Sequence, residues 1–259
     1  MNKIRSTSST RRIVAILAAV GSSAFLASCD SSFASSTAPK SVTFTVTVKN
    51  VSVPGTIASD RAMGTIPLSP GAFAVFQGTD PTFTPGQSAD SGTERIAEDG
   101  FPGPPLPGSK STMLASAANV TASGVFQSPG GPDNGPAISA GETATFTITA
   151  SPGSRLQFET MFVQSNDWFY GFGNGGLQLF NGNTPTIGDV TSQLVLYDAG
   201  TEQDTPPGTG AFQKPVQDPM AMNVGPSESV PIQTAAQRHP TYTIPATSSV
   251  IAVTVTPQK

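Results

Sequence analysis

The chain has 259 residues, of which 26 are glycine, 24 are proline and only 12% are charged. Such a composition is typical of short strands joined by many turns, and it excludes an architecture of long helices. The 13 basic residues against 17 acidic ones argue against nucleic acid as a partner, because binding to phosphates requires basic patches. A single cysteine, Cys29, leaves no second thiol for an internal disulfide.

The first 28 residues have the pattern of a secretory signal. A basic segment precedes an apolar run over 13–26 that is too short and too rich in Ala and Ser for a transmembrane helix of about 20 mainly apolar residues. The run ends in Leu26-Ala27-Ser28-Cys29, which resembles the lipobox of bacterial lipoproteins. We therefore predict a lipoprotein signal peptide over 1–28, cleavage before Cys29 and lipidation of that cysteine. An ordinary signal with an incidental cysteine is the alternative.

The predicted cleavage makes the chain more acidic, and this charge bears on how the protein attaches to a membrane. It removes four of the 13 basic residues and no acidic one, which leaves nine against 17, a net charge of −8. An acidic chain is not attracted to anionic lipid, so the membrane attachment is expected to come from the lipid on Cys29 alone, which is stable when two or three acyl chains are present. We expect an exported protein of the cell envelope, anchored to a membrane.

Downstream of Cys29, residues 29–40 are small and polar and predict a flexible tether. Apolar residues then alternate with threonines from Val42 to Val48, which indicates a strand with one buried face. The same alternation returns over 143–149, 156–162 and 251–255, and the apolar run Gln193-Leu194-Val195-Leu196-Tyr197 predicts a more fully buried strand. These elements predict one all-β domain over 41–259.

Two segments indicate short helices within this domain. Ser91-Gly92-Thr93-Glu94 has the spacing of a capping box ahead of residues 95–98, and Thr112–Val120 is long enough for one or two turns. Stretches rich in Pro and Gly at 101–108, 128–136 and 205–210 are expected to be loops, because they cannot continue a helix or a central strand.

The residues that could carry catalysis are few. His239 is the only histidine, and a serine nucleophile on a sharp G-x-S-x-G turn is missing. A lone histidine followed by Pro240 is more often a loop residue, so we predict that the protein is not an enzyme. Zinc is also unpromising, because structural zinc sites usually draw on several Cys and His ligands.

Carboxylates at strand ends are the better candidates for a site. Asp167 follows one predicted strand, and Asp198 and Glu202 follow another. Calcium takes six to eight oxygen ligands, and loops can supply carboxylates and carbonyls together; acidic loops that only face solvent are the alternative. Trp168 and Tyr170 lie beside Asp167 and could stack on sugar rings, although filling of the core is the favoured role of such an aromatic cluster.

Three segments resemble the spondin domain of F-spondin and mindin. Residues 165–171 (SNDWFYG) resemble its S-P-D-W-F-V-G segment, and residues 196–202 (LYDAGTE) resemble an aromatic residue followed by D-A-G-T-D. Residues 94–100 (ERIAEDG) are similar to the L-A-E-D-G stretch of bacterial members. The resemblance extends from about Val42 to Val255, nearly the whole predicted domain.

The resemblance implies a C2-like antiparallel β-sandwich with a calcium ion held by Asp167, Asp198 and Glu202. This chain departs from the pattern where Asn166 replaces proline, which should alter loop stiffness, and where Glu202 replaces aspartate, which could loosen or shift the site. The disulfides of the animal domains have no counterpart here.

Three hypotheses for the function follow. The spondin resemblance implies a non-enzymatic, membrane-anchored adhesion or recognition module with an extracellular protein or glycan as its ligand. The alternative is a glycan-binding envelope lipoprotein that uses exposed aromatics such as Trp168 or Tyr170. An envelope hydrolase that depends on His239 is the third hypothesis and the least supported.

Overall fold

The computed structural model describes residues 40–104, 107–130, 135–214, 216–217 and 221–258. The predicted signal peptide, the lipidation site Cys29 and the tether up to residue 39 lie outside these ranges. Within the described part of the chain, none of the helices has both the length and the apolar character needed to cross a membrane.

The described residues form thirteen strands and three short α-helices. The strands are β1 (Val42–Asn50), β2 (Gly71–Phe76), β3 (Val120–Phe126), β4 (Thr143–Ala150), β5 (Arg155–Met161), β6 (Trp168–Phe172), β7 (Leu177–Gln178), β8 (Phe180–Asn181), β9 (Thr184–Pro185), β10 (Gly188–Asp189), β11 (Leu194–Asp198), β12 (Gln233–Thr234) and β13 (Ile251–Pro257). The helices are α1 (Ser91–Glu94), which continues into a π-helical turn over Arg95–Asp99, α2 (Lys110–Ser116) and α3 (Ala235–Arg238). Short 3-10 turns cover Arg61–Gly64, Thr191–Gln193 and Thr247–Ser249.

The smaller sheet has the strand order β10-β13-β1-β4 and is antiparallel. Val46 lies opposite Val255 of β13 on one side and Phe146 of β4 on the other. Val46 and Val48 are buried, whereas the intervening Thr47 is partly exposed. The period-two alternation of the sequence therefore corresponds to a sheet that buries one face, as predicted.

The larger sheet has the order β12-β11-β6-β5-β2-β3, with β7 added beside β5, and it is also antiparallel. One face packs in the main core through side chains such as Phe158 and Tyr170. The other face is covered by the helical segments, where Phe76 packs with Ile96 and Leu114. All residues of β2 and β6 are buried, because both faces of this sheet are covered.

The prediction of an all-β antiparallel sandwich is confirmed, since the main core is shared by strands of both sheets. The helix predictions need correction in their details. The N-cap of α1 is Asp90 and not Ser91: one Asp90 oxygen accepts from Gly92 N at 2.9 Å and Thr93 N at 2.8 Å. The second helix ends at Ser116, four residues before the predicted end, because Val120 already begins β3.

Candidate metal centre

Strand pairing brings the two spondin-like segments together. Strands β6 and β11 are antiparallel, with Trp168 opposite Asp198. Asp167 immediately precedes β6 and Asp198 is the last residue of β11, so both carboxylates lie at the same end of the sheet. The next residue along the chain, Ala199, donates its N–H to the carbonyl of Asp167 at 3.1 Å. Residues about thirty positions apart in sequence are thereby fixed side by side.

A later segment of the chain returns to this end of the sheet. Strand β12 pairs with the end of β11, with Gln233 opposite Asp198. Helix α3 follows directly and begins with a capping box between Thr234 and Gln237. The helix is one turn long and ends at Arg238, with His239 as its C-cap, and the imidazole of His239 contacts the carboxylates of Asp198 and Asp204.

Asp198, Asp204 and His239 form a group whose ligand atoms all lie within 4.8 Å of one another. The Nε2 atom of His239 is 2.9 Å from Asp198 Oδ2 and 2.7 Å from Asp204 Oδ2. The three side chains are 0%, 1% and 15% exposed, respectively. We call these three residues the imidazole half of the centre. Their number and type are those of a site that could hold a metal ion.

The neighbours of this group hold its side chains in position. Gly200 N donates to Asp198 Oδ1 at 2.8 Å, and Trp168 Nε1 donates to Asp204 Oδ2 at 3.0 Å. The imidazole of His239 stacks on Tyr242, with ring centroids 4.6 Å apart and an interplanar angle of 9°. Arg238 Nε is 3.1 Å from Asp198 Oδ1, without a directed hydrogen bond. Such outer contacts orient metal ligands and fix their geometry.

Asp167 and Glu202 lie next to this group and form, with Asp198, what we call the oxygen half. Asp167 Oδ2 accepts from the backbone N–H of Thr201 at 2.7 Å and from that of Glu202 at 3.1 Å. Asp167 Oδ1 is buried and has no hydrogen-bond partner among the described residues. Glu202 Oε1 accepts from Asn166 Nδ2 at 2.9 Å. One oxygen of Asp167 is thus fixed by the protein while the other is left open to a ligand.

Burial makes ionisation of these carboxyl groups unfavourable. Burial above all, opposed by the Asn166 hydrogen bond and helped by the charges of Glu98 and Asp99, raises the pKa of Glu202 to about 7. Burial and then the charge of Asp198 raise the pKa of Asp167. Burial also raises the pKa of Asp204, together with the charges of Asp167 and Asp198. Each group is held away from water in a field set by other carboxylates.

The centre contains more acidic groups than its basic neighbours can compensate. Arg238 faces Asp198, and Lys214 lies 4.0 Å from the nearby Asp99. Buried carboxylates that lack a counter-charge either bind protons or bind a cation. Asp204 Oδ1 has no hydrogen-bond partner within the described ranges, as is the case for Asp167 Oδ1. A divalent cation bound by either carboxylate would satisfy its free oxygen and offset part of the negative charge.

The structure places the sequence-predicted residues in different environments. Asp198 belongs to the group that could hold a metal, whereas Asp167 and Glu202 lie beside it. Trp168 and Tyr170 are 0% exposed. Glycan binding through these two rings required them at the surface, and the structure instead places both in the main core.

Asp204, His239 and the role of Asn166 were not predicted from the sequence. Asp204 lies only two residues beyond Glu202, and this proximity to the acidic segment was the one signal for it. His239 was interpreted as a loop residue. However, Thr234-Ala235-Ala236-Gln237 has the spacing of a capping box, which predicts a helix that begins just before His239. Asn166 Oδ1 accepts from Thr205 N at 3.1 Å while its amide binds Glu202, so it ties the two acidic loops together.

No protein-family model matches the chain, and no curated protein matches it.

Proposed function

We propose that this protein is a non-enzymatic adhesion or recognition module of the cell envelope, anchored by lipid on Cys29, whose loop edge is stabilised by a divalent cation. The observation that supports it best is the buried, uncompensated carboxylate centre at the end of the larger sheet. Calcium is the ion that the spondin resemblance implies for the oxygen half, with Asp167, Asp198 and Glu202 as ligands.

A binding role suits the site better than catalysis does. Asp198 and Asp204 are 0% and 1% exposed, and His239 is 15% exposed. A substrate would need access to the reacting atoms, whereas an ion that orders loops needs only its ligands. A cation in the oxygen half would connect the loop before β6 with the end of β11 and the segment that follows it. These loops would then present a fixed surface to a partner.

The cation is tested by thermal unfolding of the full chain, solubilised in detergent, first in chelator and then in millimolar calcium. A ligand at about a hundred times its dissociation constant adds about 2.7 kcal/mol to the free energy of unfolding, so calcium should raise the melting temperature. Asp167→Asn should remove this increase. Glu142→Gln changes an acidic side chain that contacts Ser128 and Ser139 and belongs to neither half of the centre, so it should keep the increase. An equal response of wild type and Asp167→Asn would contradict the calcium assignment.

Adhesion is tested in cells that produce either the wild type or Asp167→Asn at the same surface level. We expect attachment to surfaces coated with extracellular-matrix protein or with glycans to require both calcium and Asp167. Cys29→Ala should move the protein out of the membrane fraction and abolish attachment as well. Attachment that survives the chelator and both substitutions would rule out the proposed role.

A further inference from the structure

We propose that Asp198, Asp204 and His239 form a mixed carboxylate–imidazole site that binds a divalent transition ion of the zinc class in preference to calcium. This inference rests on the proposed function, because it assigns an ion to the other half of the same acidic centre. It also revises the expectation from sequence that a lone histidine makes zinc unpromising.

The preference for an ion of the zinc class over calcium follows from the types of donor atom. Imidazole nitrogen is a good ligand for zinc and its neighbours in the first transition row, whereas calcium is bound by six to eight oxygens. His239 directs Nε2 between Asp198 and Asp204, and both contacts are shorter than 3.0 Å. Two carboxylates and one imidazole match the three protein ligands and one open position found in many zinc sites.

The distances require only a small adjustment to admit an ion. With metal–ligand bonds of about 2.1 Å, neighbouring donors lie about 3.0 Å apart at right angles and about 3.4 Å apart at the tetrahedral angle. The nitrogen–oxygen distances of 2.9 and 2.7 Å therefore need to open by about 0.1–0.3 Å for a right-angled arrangement and by about 0.5–0.7 Å for a tetrahedral one. Bound metal would replace the single proton that His239 Nε2 can share with the two carboxylates, and its two positive charges would balance theirs.

A second observation points to a ligand at this position. Asp204 is 1% exposed, yet its Oδ1 atom has no hydrogen-bond partner in the described part of the chain. Its Oδ2 atom is already fixed by Trp168 Nε1 at 3.0 Å. The carboxylate is thus oriented by one oxygen and left with a free buried oxygen, which is costly unless a ligand occupies it. A cation bound by both oxygens of Asp204, together with Asp198 and His239, would remove this cost.

The surrounding rings prepare the imidazole for ligation and provide a reporter. His239 contacts both Tyr242, 4.6 Å away between ring centroids, and Trp168, at 5.6 Å, and these two rings also contact each other at 6.4 Å. Trp168 is the only tryptophan of the chain, so its fluorescence reports on this site alone. Paramagnetic cobalt(II), a common substitute for zinc, would quench this fluorescence by binding in contact with the ring system.

The test is a titration of the metal-free full chain, purified without a histidine tag, with cobalt(II), followed by competition with zinc. We expect Trp168 fluorescence to be quenched with a stoichiometry of one ion per chain, and zinc to displace the cobalt. His239→Gln should weaken binding by at least about 100-fold, since even loss of an outer-shell partner costs 10–100-fold in affinity. Glu142→Gln changes an acidic side chain that contacts Ser128 and Ser139 and belongs to neither half of the centre, so its affinity should stay within threefold of the wild type.

A second readout does not depend on the folding of the His239 variant. His239 is the sole histidine, so its carbethoxylation by diethylpyrocarbonate can be followed in the wild-type protein without ambiguity. Zinc should protect it and calcium should not. Equal modification with and without zinc, or cobalt binding unchanged in His239→Gln, would overturn the proposal.

The calcium and cobalt experiments together distinguish failure of the imidazole site from failure of the proposed calcium site. If calcium stabilises the protein through Asp167 and cobalt fails to bind, the imidazole site is refuted while the calcium assignment stands. If cobalt binds through His239 and calcium has no effect at millimolar concentration, the inference stands and the calcium assignment fails. If neither ion binds, both are refuted.

Discussion

At the scale of single residues, Asp198 connects the two halves of the acidic centre. Its Oδ1 atom accepts from Gly200 N at 2.8 Å, and its Oδ2 atom contacts His239 Nε2 at 2.9 Å. The sequence predicted Asp198 because it lies in the D-A-G-T-E segment directly after an apolar run. It could not predict that Asp198 shares an imidazole with Asp204, since that contact depends on a helix more than thirty residues further along the chain.

Gly200 illustrates why the glycine of this segment is required. Its φ is +70°, and a Cβ atom placed there would lie 2.3 Å from the carbonyl oxygen of Val230. Gly200→Ala should therefore lower the free energy of unfolding by at least about 2–3 kcal/mol, because left-handed strain of about 1–2 kcal/mol adds to a backbone clash. Denaturant unfolding measures the change.

Gly182 is the matched control for this substitution. Its φ is +60°, and no atom lies within 4 Å of a Cβ built there. Gly182→Ala should cost only the strain of about 1–2 kcal/mol. Equal destabilisation by the two substitutions would show that the contact with Val230 is unimportant.

At the scale of elements, the sequence predicted the strands of the smaller sheet best. In β1, β4 and β13, threonines occupy the solvent face and apolar residues the core face, so the pattern has a period of two. In β6 this pattern is missing, because Trp168 and Tyr170 face the main core while Phe169 packs on the opposite side with Phe83 and Tyr197. A strand that is buried on both sides has no alternation to detect.

The helical layer over the larger sheet contains a buried charge that composition could not reveal. Lys110, at the start of α2, is 1% exposed on its side chain and donates to Thr82 O at 2.7 Å and to Asp90 at 2.8 Å. Its Nζ atom is also 3.3 Å from Glu159 Oε1, in β5. Burial raises the pKa of Glu159 to about 7 despite the opposing charge of Lys110. This ion pair connects the helical layer to the middle of the sheet.

Removal of Lys110 should destabilise the protein more than removal of the whole ion pair. Lys110→Met leaves Glu159 buried without a counter-charge, which costs about 3–5 kcal/mol. The double substitution Lys110→Met with Glu159→Gln should recover at least half of that loss, because the remaining group is neutral. Chemical denaturation of the wild type, the single variant and the double variant measures both effects. A double variant no more stable than Lys110→Met would contradict this interpretation.

The position of helix α3 beside the acidic centre could not be predicted from the sequence. The helix comprises four residues, Ala235–Arg238, too few for hydrophobic periodicity to be detectable. Its position depends on the pairing of the two-residue strand β12 with β11, which only the folded chain reveals. The same holds for the contact of Glu202 with Asn166 across 36 residues. The sequence thus predicted one member of the imidazole half and missed the other two.

At the scale of the whole molecule, the buried carboxyl groups predict how stability depends on pH without metal. Burial raises the pKa of Glu98, Glu159, Asp167 and Glu202 to about 7, from ordinary values of 4.5 or 3.8. At a pH between the ordinary pKa values and about 7, the folded state binds more protons than the unfolded state. The free energy of unfolding therefore falls as pH rises through this range. A loss of about 2 kcal/mol corresponds to a decrease of about 4–8 °C in melting temperature. Scanning calorimetry in chelator from pH 5 to pH 8 measures it.

Bound metal should oppose this trend. Carboxylate and imidazole ligands must be deprotonated to bind an ion, so the stabilisation by metal increases as pH rises. Hydrogen bonds lower the pKa of Glu142 and of Asp189, so these groups lose their stabilising contribution only as pH falls below about 4. They therefore do not change the melting temperature between pH 5 and pH 8. A melting temperature that rises with pH in chelator, or an identical profile with saturating metal, would contradict the role assigned to the buried carboxylates.

The central claim is that this acidic centre binds a divalent cation, and Asp198 belongs to both of its halves. The most direct measurement is the metal content of the full chain after equilibrium dialysis against calcium and zinc, compared with that of Asp198→Asn. We expect at least one more divalent ion per chain in the wild type than in this variant, with both proteins folded by circular dichroism. Equal metal content in the two proteins would contradict it.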